Sequence, residues 1–237
     1  MKRVLALQHV QENPPGLVGE VLQKHGIDYQ VIQVVSEPIP DPKTYDAVIA
    51  FGGTQHIYDE KSYPFSINED TRVRDAVENN IPFLGICYGG QLLAHVLGGL
   101  VTRLPREEVG FVRVYFTAEG KQDPLYAGFT DYLQSFHWHE DVFDVPPQGV
   151  LLAQTEHGEH HAFRFGQRAY GIQYHVEITA EMLNTWIKNF STEKELAGPY
   201  GEALFQRLKA ERPTLYPIYH DHSTRMIENF LKIAALI

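Results

Sequence analysis

Short apolar runs alternate with helix-patterned segments across residues 4–99. Residues 4–7, 29–35, 45–51 and 81–86 are apolar or β-branched runs of strand length. Residues 16–25, 66–79 and 91–97 carry helical spacing or helix-favouring charges, and stops follow at Gly26 and at Gly98-Gly99. Strands separated by helices pair most simply in parallel, so this alternation predicts an α/β fold: an open, mostly parallel sheet flanked by helices. After Leu100 the texture changes. Residues 110–117, 150–154, 162–165 and 169–174 read as strands with little helix between them. An antiparallel extension, or a mixed region of the same sheet, accounts for that. From Thr179 onward the pattern is helical, with breaks expected at Gly198-Pro199 and around residues 213–217. Met226, Ile227, Phe230, Leu231 and Ala234 form an apolar stripe on the last segment.

The chain has 237 residues, of which 43% are hydrophobic, enough for one full-sized core. Its formal net charge is -10 and it has no basic run. Nucleic-acid binding is therefore not expected, because phosphate contacts need clustered Lys and Arg. No apolar run approaches the roughly 20 residues of a membrane span. The apolar stretch near the N-terminus is too short for a signal peptide and lacks a small-residue cleavage site, so it reads as a first strand. A single cysteine rules out an intrachain disulfide. The expectation is a soluble cytoplasmic protein whose lone Cys is a candidate nucleophile.

That cysteine stands in Phe83-Leu84-Gly85-Ile86-Cys87-Tyr88-Gly89-Gly90-Gln91. An apolar strand runs into Cys87 and a helical pattern follows at once. A nucleophile on such a tight strand-to-helix turn crowds its neighbours, so small residues are needed two positions to either side. Gly85 and Gly89 supply them. A free Cys at the end of a core strand is most often buried and inert; the paired glycines argue for the reactive role.

A thiol nucleophile needs a base, and the base needs a partner that fixes its tautomer. Gly171-Ile172-Gln173-Tyr174-His175-Val176-Glu177 offers both. Residues two apart on a strand share a face, which sets His175 beside Glu177. A tetrahedral intermediate also needs two donors for its oxyanion. The N–H of Tyr88 is one candidate. The turn Phe51-Gly52-Gly53, at the end of a neighbouring strand, offers Gly53 as the second, with Gly52 close behind.

Taken together, the Cys87 turn, the His175–Glu177 strand and the Gly52-Gly53 turn resemble the class I glutamine amidotransferase domain. The glutaminase half of GMP synthase and its stand-alone relatives are the nearest in flavour. The resemblance implies release of ammonia from glutamine through a γ-glutamyl thioester on Cys87, without a cofactor. It also implies that Gln91 and Gly52 contact the substrate. Trp138-His139-Glu140-Asp141 is similar to a loop near the substrate in that group, which adds His139. Two departures stand out: Val176 replaces a frequent Pro between His and Glu, and Thr54 replaces a frequent Pro after the glycines. No nucleotide-activating half and no phosphate loop of the G-x-x-x-x-G-K type follow, so GMP synthesis by this chain alone is not expected. The implied partners are glutamine and a synthase that receives ammonia. A γ-glutamyl peptidase or hydrolase is the alternative enzyme, and a non-catalytic binding module of the same fold is the alternative outside enzymes. A homo-oligomer stays open.

The domain is expected to span residues 1–190, with residues 191–237 a helical extension packed on it. Leu204 and Leu208 add to the apolar stripe there. Twelve histidines invite a metal reading. His137 and His139 flank Trp138 and share a strand face, but a structural zinc site more typically includes Cys. Residues 156–161, with His157, His160 and His161, read as a solvated loop. Asp221 or Ser223 reads as the cap of the last helix. No metal site is expected.

Overall fold

The computed structural model describes residues 2–58, 66–190 and 199–237. Its elements in chain order are β1 (Arg3–Gln8), α1 (Gly16–Lys24), β2 (Asp28–Gln33), β3 (Ala47–Ala50), α2 (Ser66–Glu78), β4 (Phe83–Ile86) and α3 (Tyr88–Val96). Then come β5 (Val101–Phe116), β6 (Tyr132–Phe143), β7 (Val150–Gln154), β8 (His160–Phe165), β9 (Ala169–Ile172), α4 (Ala180–Phe190) and α5 (Pro199–Ile233). All nine strands join one sheet in the order β2-β1-β3-β4-β9-β8-β7-β5-β6. The run from β2 to β9 is parallel. From β9 to β6 every pairing is antiparallel. The change of texture after Leu100 is thus an extension of the same sheet.

Strand alternation explains the two cores. On β1, Val4 and Ala6 face one cluster while Leu5 and Leu7 face the other; on β3, Ala47 and Ile49 separate from Val48 and Ala50 in the same way. The first cluster takes in Leu17, Val18, Val21 and Leu22 of α1 and the stripe of α5. The second takes in Val73 and Ala76 of α2 and Leu92 and Leu93 of α3. Both faces of β3, β4 and β9 are covered, which is why those strands are apolar throughout, whereas the edge strand β2 keeps Asp28, Gln30 and Gln33.

α5 carries Tyr219, Met226, Ile227, Phe230 and Leu231 into the first cluster, all fully buried. At about 1.5–3 kcal/mol for each large apolar side chain, this face anchors the helix firmly. The break expected around residues 213–217 does not occur: Pro213 and Pro217 lie inside α5. They stand four residues apart on one face, and both are exposed. The carbonyls they free face water, so the helix continues. Asp221 and Ser223 are consequently mid-helix and cap nothing. The other expected break falls partly on Gly198, outside the described residues, and α5 starts at Pro199. No helix among the described residues is long and apolar enough to cross a membrane.

Two further expectations are corrected. Trp138-His139-Glu140-Asp141 is not a loop; it lies within β6, where His139 pairs with Glu108 and Trp138 with Val109 of β5. His160 and His161 open β8 rather than ending a solvated loop, and His161 is fully buried.

Candidate active site

β4 delivers Cys87 to its C-terminal end, and α3 begins one residue later. Cys87 takes φ 52° and ψ -109°, a backbone conformation that L-residues rarely adopt. Such strain costs on the order of 1–3 kcal/mol and persists only where the surroundings enforce it. Here the flanking glycines let the chain turn. A Cβ on Gly85 would overlap the carbonyl of Gly89, and one on Gly89 would overlap the carbonyl of Ala50 on β3. The Cys87 N–H is held by the Ile172 carbonyl of β9 at 2.8 Å.

His175 and Glu177 lie just past the end of β9. The His175 N–H donates to the Phe136 carbonyl of β6 at 2.9 Å, an isolated antiparallel bridge. That bridge curls the far edge of the sheet back over its middle and brings β6 to Cys87. His175 Nδ1 meets Glu177 Oε1 at 2.6 Å. The second carboxylate oxygen accepts from the Val176 N–H at 2.9 Å, and Asn13 adds a further hydrogen bond. His175 Nε2 and Cys87 Sγ converge on the Trp138 carbonyl, at 3.4 Å and 3.8 Å.

Burial alone would lower the His175 pKa. The charge of Glu177, followed by the charge and hydrogen bond of Cys87, outweighs it and holds the pKa well above the ordinary histidine value. Burial would likewise raise Glu177, but the charge and hydrogen bond of His175 hold it below the ordinary carboxylate range. The pair can therefore store a proton on the imidazole.

Cys87 and His175 open on a cleft of ≈ 670 Å³, with Glu177 buried behind the imidazole. Gly52 and Gly53 line it, and a Cβ on Gly52 would lie 3.0 Å from His175 Cε1 and 3.5 Å from Cys87 Cβ. Gly53 sits one step further along, beside Gln55 and His9. Tyr88 is the first residue of α3, adjacent to Cys87. Gln91 lines the cleft but is buried, with Nε2 donating to the Asp141 carbonyl at 3.0 Å and to Gln173 Oε1 at 3.3 Å. His139 is also on the wall, yet its ring nitrogens are engaged: Nδ1 with the Asp141 carbonyl at 3.0 Å and Nε2 with Glu108 at 3.0 Å.

Sequence reasoning passed over four neighbours of this site. Gln173 Nε2 reaches Cys87 Sγ at 3.8 Å; counting two residues back from His175 along the same alternation would have found it. Asn13, Trp186 and the Trp138 carbonyl left no local signal. The Trp186 ring meets His175 edge-on with centroids 5.3 Å apart, and its Nε1 donates to the Glu12 carbonyl at 3.0 Å.

A cysteine on a strained strand–helix turn, a histidine bonded to a buried carboxylate and a glycine turn facing both are the parts that thiol-dependent acyl transfer needs, assembled on an open α/β sheet. The family model for class-I glutamine amidotransferases matches residues 18–193, and the chain belongs to that family. The glutamine amidotransferase-like protein YfeJ of Salmonella typhimurium is 29% identical over 192 residues, 80% of each chain. One of the subunits of the glutamine-hydrolysing GMP synthase of Saccharolobus solfataricus is 31% identical over 160 residues, 65% of this chain and 78% of that one. Against a full-length GMP synthase the match spans only 24% of the synthase. Among solved structures, a glutamine amidotransferase of Thermotoga maritima superposes with a TM-score of 0.80 at 30% identity, over 96% of this chain and 98% of that one.

Proposed function

We propose that the chain hydrolyses the side-chain amide of glutamine. Cys87 is the nucleophile, His175 the general acid–base and Glu177 the residue that orients the imidazole. His175 Nε2 takes the thiol proton as Cys87 Sγ attacks the amide carbon, and the oxygen becomes an oxyanion held by the N–H groups of Tyr88 and Gly53. Collapse breaks the C–N bond, and His175 gives its Nε2 proton to the departing ammonia. The product is a γ-glutamyl thioester. Water attacks that thioester, His175 takes its proton, and glutamate leaves as the Cys87 sulfur is restored. Gly52 and Gln91 form the wall against which the substrate lies, with His139 behind it. Ammonia then passes to an acceptor, for which a partner synthase is the natural candidate.

The observation that carries this reading is the 2.6 Å His175–Glu177 bond beside a strained Cys87, with Cys87 and His175 facing one cleft. The test is to incubate the purified chain with glutamine and with a panel of γ-glutamyl amides, measuring glutamate and ammonia or amine. A diazo-ketone analogue of glutamine should label Cys87, and Cys87→Ala should lose turnover. Full activity in Cys87→Ala refutes the mechanism. Turnover of γ-glutamyl amides without turnover of glutamine would reassign the chain as a γ-glutamyl hydrolase using the same residues.

A further inference from the structure

Behind the cleft wall lies a second cluster that the proposed reaction does not use. Glu108 of β5, His137 and His139 of β6 and His161 of β8 bring one ligand atom each within 4.8 Å of one another. His137 and His161 are fully buried and His139 is 4% exposed. A slip in the β5–β6 ladder between Arg103 and Glu108 sets Glu108 directly opposite His139.

The hydrogen bonds around the cluster fix where its protons are. Ser135 Oγ donates to the Val112 carbonyl at 2.9 Å. Its hydrogen is spent, so at 2.9 Å from His137 Nε2 it accepts. That places the His137 proton on Nε2 and leaves the Nδ1 lone pair facing inward. The Asp141 carbonyl can only accept, so His139 Nδ1, 3.0 Å away, carries the proton and its Nε2 lone pair also faces inward. These two bare nitrogens are 3.3 Å apart. Glu108 Oε2 lies 3.3 Å from the first and 3.0 Å from the second. With both imidazoles neutral, three acceptors thus converge without a donor. His161 Nε2 is 3.8 Å from the same carboxylate oxygen, and neither nitrogen of His161 has a hydrogen-bond partner among the described residues. Buried polar atoms are rarely left unpartnered, so this one calls for a ligand.

We propose that Glu108, His137, His139 and His161 bind a divalent first-row transition-metal ion, with zinc the best match. Zinc–nitrogen and zinc–oxygen bonds of about 2.0–2.2 Å give a tetrahedron with edges of roughly 3.3–3.6 Å. Four of the six separations, 3.0, 3.3, 3.3 and 3.8 Å, bracket that edge, and all six lie within 4.8 Å. Three imidazoles and a carboxylate suit zinc, and the Ser135 and Asp141 contacts are the outer hydrogen bonds that orient histidine ligands. A single cation satisfies all four ligand atoms at once, which one shared proton does not. Glu108 is the partly exposed member, with 29% of its side chain accessible, and marks the way in. Four protein ligands close the site, so the ion is structural. It ties β5, β6 and β8 together and grips β6 on both sides of Trp138, whose carbonyl faces Cys87 and His175.

The test uses the full chain. After chelator treatment it is titrated with zinc chloride against a chromophoric competitor, and separately with cobalt chloride. One zinc per chain is expected, together with the visible absorption of tetrahedral cobalt. His161→Gln removes the ligand with no hydrogen bond to lose, and should weaken binding more than ~100-fold. His157→Gln, exposed on the loop before β8, should leave it unchanged. Failure of the wild-type chain to bind, an octahedral cobalt spectrum, or stoichiometric binding that survives His161→Gln each overturns the proposal. If His161→Gln does not fold, the wild-type stoichiometry and cobalt spectrum decide on their own. None of these readouts depends on turnover, so the metal site and the proposed glutaminase reaction stand or fall separately.

Discussion

Replacing Glu177 with Gln removes one charge and changes almost no volume, which makes it a stringent test of the His175 assignment. In the folded chain three donors converge on this carboxylate: His175 Nδ1 at 2.6 Å, the Val176 N–H at 2.9 Å and Asn13. A glutamine can satisfy only part of that set. If its oxygen stays on the Val176 N–H, its amide N–H₂ faces His175 Nδ1 and forces that nitrogen to accept. The imidazole proton then sits on Nε2, and His175 cannot take a proton from Cys87. If the amide flips, the Val176 N–H faces another donor inside the core, at about 1–3 kcal/mol. The wrong tautomer is therefore the favoured one. The carboxylate charge that stabilises the imidazolium is lost as well. The comparable change in a serine-protease triad costs about 10⁴ in kcat. Glu177→Gln should lower kcat for ammonia release from glutamine by roughly 10³–10⁴, or ~4–5.5 kcal/mol of transition-state stabilisation. The rate of Cys87 alkylation by iodoacetamide near neutral pH should fall in parallel, while circular dichroism shows a folded chain. A folded Glu177→Gln variant with kcat within about tenfold of wild type would refute the role given to Glu177 and the tautomer argument with it.

The same pair has a pH signature. Glu177 is held below its ordinary pKa, so its contribution is present above about pH 4.5 and lost as pH falls through the lower folded value. His175 is held above its ordinary pKa, so its contribution is full below about pH 6.5 and lost as pH rises through the higher folded value. The difference in melting temperature between wild type and Glu177→Gln should peak between those limits and shrink on either side; a difference that grows steadily with pH contradicts the assignment. Gly85→Ala would place a Cβ onto the backbone of Gly89 and 2.7 Å from the Gly90 nitrogen. About 1–3 kcal/mol of overpacking, or a Tm loss of ~2–12 °C, is expected, with kcat reduced roughly 10²-fold as Cys87 shifts. Wild-type Tm and kcat would show that the turn does not need the glycine. Tyr219→Phe on α5 strips the Ile178 N–H of its acceptor at 2.9 Å, next to Glu177, and should cost about 1–3 kcal/mol in urea unfolding. A chain ending at Phe190 exposes the apolar surface that Met226, Ile227, Phe230 and Leu231 cover and should be insoluble. No described α5 side chain lines the cleft, so a soluble truncation with raised turnover would show a covering role that the packing does not suggest.

What could be read from the sequence follows from how local each constraint is. The turn at Cys87 is legible because its demands fall on Gly85 and Gly89, two residues away. His175 and Glu177 are legible because strand alternation is a rule of period two. The sheet's parallel half is legible because its inner strands β1, β3, β4 and β9 are largely apolar and each is followed by a helix. The antiparallel half is less so. β6 holds Gln134, Ser135, His137 and His139 on or near the core, all buried, and so lacks the apolar signature of a strand. Pro213 and Pro217 misled because a proline's cost depends on which side of the helix it faces, and both face water.

The Trp138 carbonyl beside Cys87 has no sequence signature at all. It reaches the site because β6, at the far end of the sheet order, returns to bridge His175 through Phe136. The same return sets His137 and His139 back to back with the cleft, where the slipped register of β5 delivers Glu108 and β8 delivers His161. Each of these residues alone resembles an ordinary polar residue on a strand. The folding of the sheet onto itself makes them neighbours, so the wall of the cleft and the histidine cluster behind it are two sides of one piece of β6. Changes at Glu108, His137 or His161, which do not line the cleft, should therefore reach Cys87 and His175 through His139 and the Trp138 backbone.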